Sequence, residues 1–210
     1  MKKIMFSERF GLEQAVLAGT KIQTRRIIPI DLYNQTDWKA VAEGDFEAVV
    51  DGEGYYHDIR NCGKYHIGEE VAIAQPYKND GVLTYNAYNE DGTAREDGLQ
   101  RHKEMLESKG YRNKMFVKAE YMPHRIRITG IKVDRLQDIS DEDAMREGIR
   151  QSVVEYGDKK IVQWTYFGEK ITTWFDSPRE AFAALIDRIS GRGTWQSNHW
   201  VYAYTFELIK

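Results

Sequence analysis

Apolar and polar residues change their spacing several times along this chain, and each change predicts an element. Lys2–Phe6 is a short apolar run suited to a buried strand, and Ser7 is then placed to cap a helix over Glu8–Ala18. Leu12, Ala15 and Val16 keep the helical spacing there, with Glu8 in the first turn. Gly19 follows, the expected left-handed residue that ends such a helix. An extended segment should come next. Its alternation sends Lys21, Gln23 and Arg25 to one side and Thr24 and Arg26 to the other, until Ile27-Ile28-Pro29 closes it.

The middle of the chain is less regular. Residues 31–66 have weak periodicity and predict an irregular excursion with one hairpin, and His66–Ala74 reads as a turn into a strand ended by Pro76. Between Tyr77 and Gly110, Asn79-Asp80-Gly81 and Asn89-Glu90-Asp91-Gly92 are hairpin or loop signals. Leu99, Met105 and Leu106 mark a short helix stopped at Gly110. Met115–Val117 and Arg125–Val133 read as strands, the second with Arg125, Arg127 and Lys132 toward solvent. Ser140 should cap a helix opened by Asp141, Glu142 and Asp143. Glu147 falls in its last turn, where the helix dipole disfavours an acid, so another interaction must hold it there.

Residues 150–175 predict a hairpin rich in aromatics (Trp164, Tyr166, Phe167, Trp174, Phe175). Ser177-Pro178-Arg179-Glu180 is a capping box ahead of Phe182, Leu185, Ile186 and Ile189 at helical spacing, with Gly191 as the stop. Trp200–Ile209 is a closing strand. Many strands broken by short helices imply an α+β, mainly β fold: one domain built on a small, partly open β-barrel with helices at its ends.

Composition narrows the setting. The chain has 210 residues, enough to bury a core unaided, with 13 Tyr and 5 Trp available for a barrel wall or a ligand surface. Its single cysteine, Cys62, rules out an internal disulfide and points to the cytoplasm, and neither an export signal nor a membrane-spanning run is evident. The net charge of −3 conceals segregation: residues 1–30 hold six basic against two acidic side chains, residues 101–135 ten against four, and residues 31–58 eight acids against Lys39. One electropositive face suited to phosphates is expected if these blocks do not mix in the folded chain.

Candidate chemistry concentrates in Leu17–Arg26, which crowds an amine, two hydroxyls, an amide and two guanidinium groups behind Gly19. Elsewhere the signals are thin. His57, Cys62 and His66 lie within ten residues but lack a fourth ligand, and no phosphate loop is present, so neither a metal nor a cofactor is expected. Ordinary roles stay open throughout: Lys21 and Arg26 as surface ion-pair partners, Thr24 as a strand residue, Glu147 as a solvated helix residue, and Trp195, Trp200, Tyr202 and Tyr204 as barrel packing.

The Gly19-x-Lys21-x-x-x-x-Arg26 pattern behind a short helix resembles the signature of the ASCH domain, a PUA-like β-barrel. Three other blocks share the resemblance: Gly68-Glu69-Glu70-Val71, Arg135–Ala144 with Glu147-Gly148, and Trp195–Glu207. Relative to small ASCH proteins, residues 31–60, 77–112 and 150–175 would be insertions, and the chain is most similar to the long bacterial and phage members. In a small member that hydrolyses N4-acetylcytidine, a lysine, a threonine and a later glutamate form the active site. The resemblance places those roles on Lys21, Thr24 and Glu147, with Arg25 and Arg26 as a cation field lowering the lysine pKa. PUA-like barrels also read RNA or modified bases. On that reading Lys21, Arg26, Arg125 and Arg127 hold phosphate while Trp200 or Tyr202 stacks on a base. Binding of RNA or a modified nucleoside, hydrolysis of an acylated nucleoside, and a protein-interaction role all stay open, as does the oligomeric state.

Overall fold

The computed structural model describes residues 1–156, 159–166 and 173–209. Strand β1 (Lys2–Ile4) leads to helix α1 (Leu12–Leu17), which starts one turn later than its sequence pattern suggests. Gly11 is left-handed at φ 61° and stands at the N-cap, so Ser7–Phe10 form a separate turn and Ser7 contributes its carbonyl, not a side-chain cap. Gly19 ends α1 at φ 70°, as expected. Strand β2 (Gln23–Ile27) follows at once.

The irregular excursion contains helices α2 (Ile30–Asn34) and α3 (Trp38–Glu43) besides the expected hairpin of β3 (Glu47–Val50) and β4 (Tyr56–Asp58). Both helices are only one or two turns long, too short for a periodicity to show. After β5 (Glu70–Ile73), Asn79 accepts from the Gly81 amide and caps α4 (Asp80–Ala87), so this signal opens a helix and not a hairpin. Helix α5 (Gly98–Glu107) follows. Met115–Val117 is not a strand, because Asn113 Oδ1 accepts from the Met115 amide at 3.0 Å and winds the segment into a 3-10 turn.

Strand β6 (Arg125–Arg135) and helix α6 (Asp141–Arg146) match expectation, Ser140 Oγ capping α6 by accepting from the Asp143 amide at 3.1 Å. Strands β7 (Arg150–Tyr156) and β8 (Lys159–Thr165) make the aromatic-rich hairpin; Phe167 lies outside the described residues. Helix α7 (Pro178–Ser190) is capped by Ser177, and α8 (Thr194–Ser197) turns the chain into β9 (Trp200–Ile209).

These elements form an α+β fold around a mixed five-stranded sheet in the order β1-β5-β6-β9-β2. The β1–β5 pair is parallel and the others antiparallel. Eight α-helices accompany the nine strands among the described residues, which gives an α+β chain in which strands do not outnumber helices by much. No backbone ladder joins the two edges, β1 and β2, among the described residues, and a side chain links them instead: Arg26 Nη2 donates to Met5 O at 2.8 Å.

The main core gathers Ile4, Phe6, Leu12, Val16, Val71, Ile73, Ile126, Ile128, Phe182, Leu185 and Phe206. A smaller core under α4 and α5 holds Ala72, Ala74, Tyr77, Val82 and Met105. Alternation along β5 divides its residues between these two cores, which is why it reads as a continuous apolar run. No helix among the described residues is long and apolar enough to cross a membrane.

Candidate functional site

Two chain turns bring the site together. At the end of α1 the amides of Thr20 and Lys21 both donate to Ala15 O, at 2.9 and 3.0 Å, which turns Lys21 inward. The Ile22 amide donates to Arg146 O at 3.0 Å, tying this tract to the C-terminal end of α6. Gly148, at φ 103°, lets the chain leave α6 beside the Lys21 stem; a Cβ there would stand 3.6 Å from Lys21 Cβ and Cδ.

Lys21 is 2% exposed, and its ammonium donates to three oxygens, Gln23 O, Glu147 O and Glu147 Oε2, each at 2.7 Å. Glu147 therefore has its reason for standing at a helix C-terminus. The lysine caps the exposed helix carbonyl and pairs with the carboxylate, offsetting both negative charges at once. Arg25 joins from β2 on the same side as Gln23, whereas Lys21 stands before the strand and Thr24 and Arg26, which alternation sends to the other side, line the same cavity. Arg25 Nη1 donates to Gln23 Oε1 at 2.9 Å and Glu147 Oε1 at 3.2 Å, and its Nη2 to Asp143 Oδ2 at 3.2 Å. Two cations and two carboxylates thus form one network, which Asp143 extends outward to Arg146 at 3.5 Å. Arg25 Nε is buried without a partner among the described residues, a cost of about 1–3 kcal/mol.

Burial pushes the Lys21 pKa down from 10.5, the Glu147 carboxylate opposes that shift, and Arg26 and Arg25 add to the lowering. Three acceptors around Nζ complement the three N–H groups of the charged form, so the resting pair is ammonium and carboxylate.

A cavity of about 260 Å³ opens over this network. Lys21, Thr24, Arg25, Arg26 and Glu147 give it a polar side, and Leu12, Phe182, Leu185 and Ile186 an apolar one. That is slightly below the roughly 300–1,000 Å³ of sites for drug-sized ligands. Thr24 lines the cavity, and its hydroxyl has no hydrogen-bond partner among the described residues.

Other residues singled out in the sequence go elsewhere. Gly19 shapes the turn and does not line the cavity. Arg125 and Arg127 also stand outside it, on the outward side of β6. Arg127 lies directly across the ladder from both Glu70 and Glu207 and pairs with them at 3.0 and 3.2 Å, while Arg125 comes within 3.9 Å of Glu70. Trp200 is 7% exposed, stacked on Trp38 at 4.8 Å and covered by the Arg135 guanidinium at 4.5 Å. The Tyr202 hydroxyl donates to Ile59 O at 2.8 Å. The basic strand and aromatic platform expected to read RNA are therefore not assembled beside Lys21.

Two members of the network, Gln23 and Asp143, went unassigned from the sequence. Asp143 precedes Glu147 by four positions, the spacing that puts two side chains on one face of a helix, and this could have flagged it. Among the described residues no group of three or more His, Cys, Asp or Glu side chains is placed to hold a metal. His57 is engaged with Asp51 Oδ2 at 2.7 Å, and Cys62 Sγ with Asp58 O at 3.4 Å. No protein-family model, curated protein or solved structure matches the chain.

Proposed function

We propose that this chain is an amidohydrolase of ASCH type that removes an acyl group from the exocyclic amine of a nucleoside, N4-acetylcytidine or a close analogue. The observation that carries the reading is convergence. Lys21 and Glu147, 126 positions apart, meet at the floor of one cavity that Thr24 also lines, with its hydroxyl uncommitted. A PUA-like, partly open barrel is the proposed frame, supported by the mixed sheet whose edge strands are bridged by Arg26 and Met5.

The chemistry balances with these groups alone. Transfer of a proton from the Lys21 ammonium to Glu147 converts the buried ion pair to amine and acid, a change that low polarity makes less costly. Thr24 Oγ then attacks the acyl carbonyl and passes its proton to Lys21, while Glu147 protonates the departing amine. Water attacks the resulting Thr24 ester and gives a proton to Glu147, and Lys21 returns one to Thr24 Oγ. The carboxylic acid leaves and the amine–acid pair is restored. Arg26, on the cavity wall, adds positive potential where negative charge builds on the acyl oxygen.

A second reading, binding of the modified nucleoside without hydrolysis, is favoured by one specific observation: every N–H of Lys21 is already matched to an oxygen, the signature of a structural ammonium. Release of cytidine and acetate from N4-acetylcytidine separates the two. Hydrolysis predicts turnover in the parent protein and a loss of about 100-fold or more in Lys21→Ala, Thr24→Ala and Glu147→Gln. Tight binding with no turnover across a panel of acylated nucleosides would leave the binding module.

A further inference from the structure

A second cavity, of about 230 Å³, lies against the first. Met5, Arg26 and Ile27 line both, so the hydrogen bond from Arg26 to Met5 stands in their common wall. Three cations line each, and the two differ in their acids. The first contains Glu147; the second is lined by Lys3, Arg26 and Lys64 with Tyr65, Tyr202 and Tyr204, and by no Asp or Glu.

None of these three cations has a carboxylate partner among the described residues. Lys3 Nζ donates to the carbonyls of Met115 and Val117 at 2.7 and 2.6 Å, and Arg26 to Met5 O. Lys64 is exposed and stands 5.3 Å over the Tyr65 ring. Burial pushes the Lys3 ammonium below its usual range, and repulsion from Lys64 adds to it, so an anion between them would be stabilised by both. The aromatic wall is closely built. Tyr65 and Tyr204 meet edge to face at 5.3 Å, and the backbone at Gly63 packs so tightly that a Cβ there would stand 2.5 Å from Tyr204 Oη. In a chain with a net charge of −3, this cavity thus gathers three cations whose charge no carboxylate answers among the described residues.

We propose that the second cavity is a phosphate subsite, so that the molecule spanning both cavities is a phosphorylated nucleoside, either a free mononucleotide or a nucleotide within RNA. The nucleoside half of this inference rests on the function proposed above; the phosphate half rests on the second cavity alone. Lys and Arg donors converging on an oxyanion form charge-assisted hydrogen bonds, and the tyrosine rings screen them from water.

Titration calorimetry at low salt tests it with five probes: inorganic phosphate, cytidine, cytidine 5′-monophosphate, cytidine 3′-monophosphate and a short single-stranded oligoribonucleotide. The parent protein should bind one of the monophosphates about tenfold or more tightly than cytidine. Lys64→Glu, which alters an exposed side chain, should erase most of that preference and leave cytidine affinity unchanged. An oligoribonucleotide binding a further tenfold or so more tightly than the monophosphate would identify RNA as the source, and equal binding the free nucleotide. Cytidine binding with no gain from either phosphate, or a gain that survives Lys64→Glu, overturns the subsite and leaves the proposed nucleoside chemistry standing. Phosphate binding lost in Lys64→Glu, without binding of any nucleoside, keeps the subsite and overturns that chemistry.

Discussion

Lys21 and Glu147 are each about as buried as the apolar residues around them, and their charges are tolerable only because each answers the other. Removing one partner strands the other, and Glu147→Ala strands two cations, Lys21 and part of the Arg25 guanidinium. The expected loss is about 3–5 kcal/mol in urea unfolding; a loss below about 1 kcal/mol would mean that the network is solvated, as surface pairs are. The pH dependence follows from Lys21. Its pKa in the folded chain lies below 10.5, so between the two values the unfolded chain binds the additional proton. The Lys21 penalty is full below the folded pKa and is relieved as pH rises toward 10.5, so its contribution to stability increases with pH there. A Lys21→Met variant should therefore lose that rise, and unfolding curves for the two proteins that keep a constant separation up to pH 10.5 would contradict the assignment. At this scale Glu147 was legible as an anomaly, an acid at the wrong end of a helix. The parts that Gln23 and Asp143 play in the network were not legible, because they exist only where β2 and α6 meet.

Elements with strong end signals were readable without the fold. Ser140 and Ser177 cap α6 and α7, Gly19 ends α1, β6 alternates over Arg125–Thr129, and β9 forms where the closing strand is expected, though buried on both faces over most of its length. Two of the failures share a cause: local side-chain hydrogen bonds outweighed weak patterns. Asn113 winds an apolar triplet into a turn, and Asn79 opens a helix where a hairpin signal stands. Strand β6 adds a different lesson. Its outward arginines suggested a phosphate-binding stripe, yet ladder register sets Arg127 between Glu70 and Glu207, and its charge is already answered. Arg127→Ala should consequently cost less than about 1 kcal/mol in stability and leave affinity for nucleotides or RNA unchanged within error. A severalfold loss of RNA affinity would return this strand to the binding surface.

Across the whole molecule, the segments between the sheet strands decide what remains accessible. Trp38, from the excursion between β2 and β5, covers Trp200 and turns a candidate stacking platform into core. The loop at residues 62–65 folds over Tyr202 and Tyr204 and makes the second cavity, while α7 supplies the apolar wall of the first. By itself the sequence determined the element boundaries that carry caps, the common side on which Gln23 and Arg25 leave β2, and the concentration of chemistry behind Gly19. These depend on interactions within a few residues of each other, which any local pattern records. Only the tertiary structure decided that Lys21 would meet Glu147 in the interior, that Glu70 and Glu207 would answer the charge of Arg127, and that two cavities, one with a carboxylate in its lining and one without, would share Arg26. Those outcomes depend on strand register and on which segment covers which face, set by packing between residues far apart in the chain.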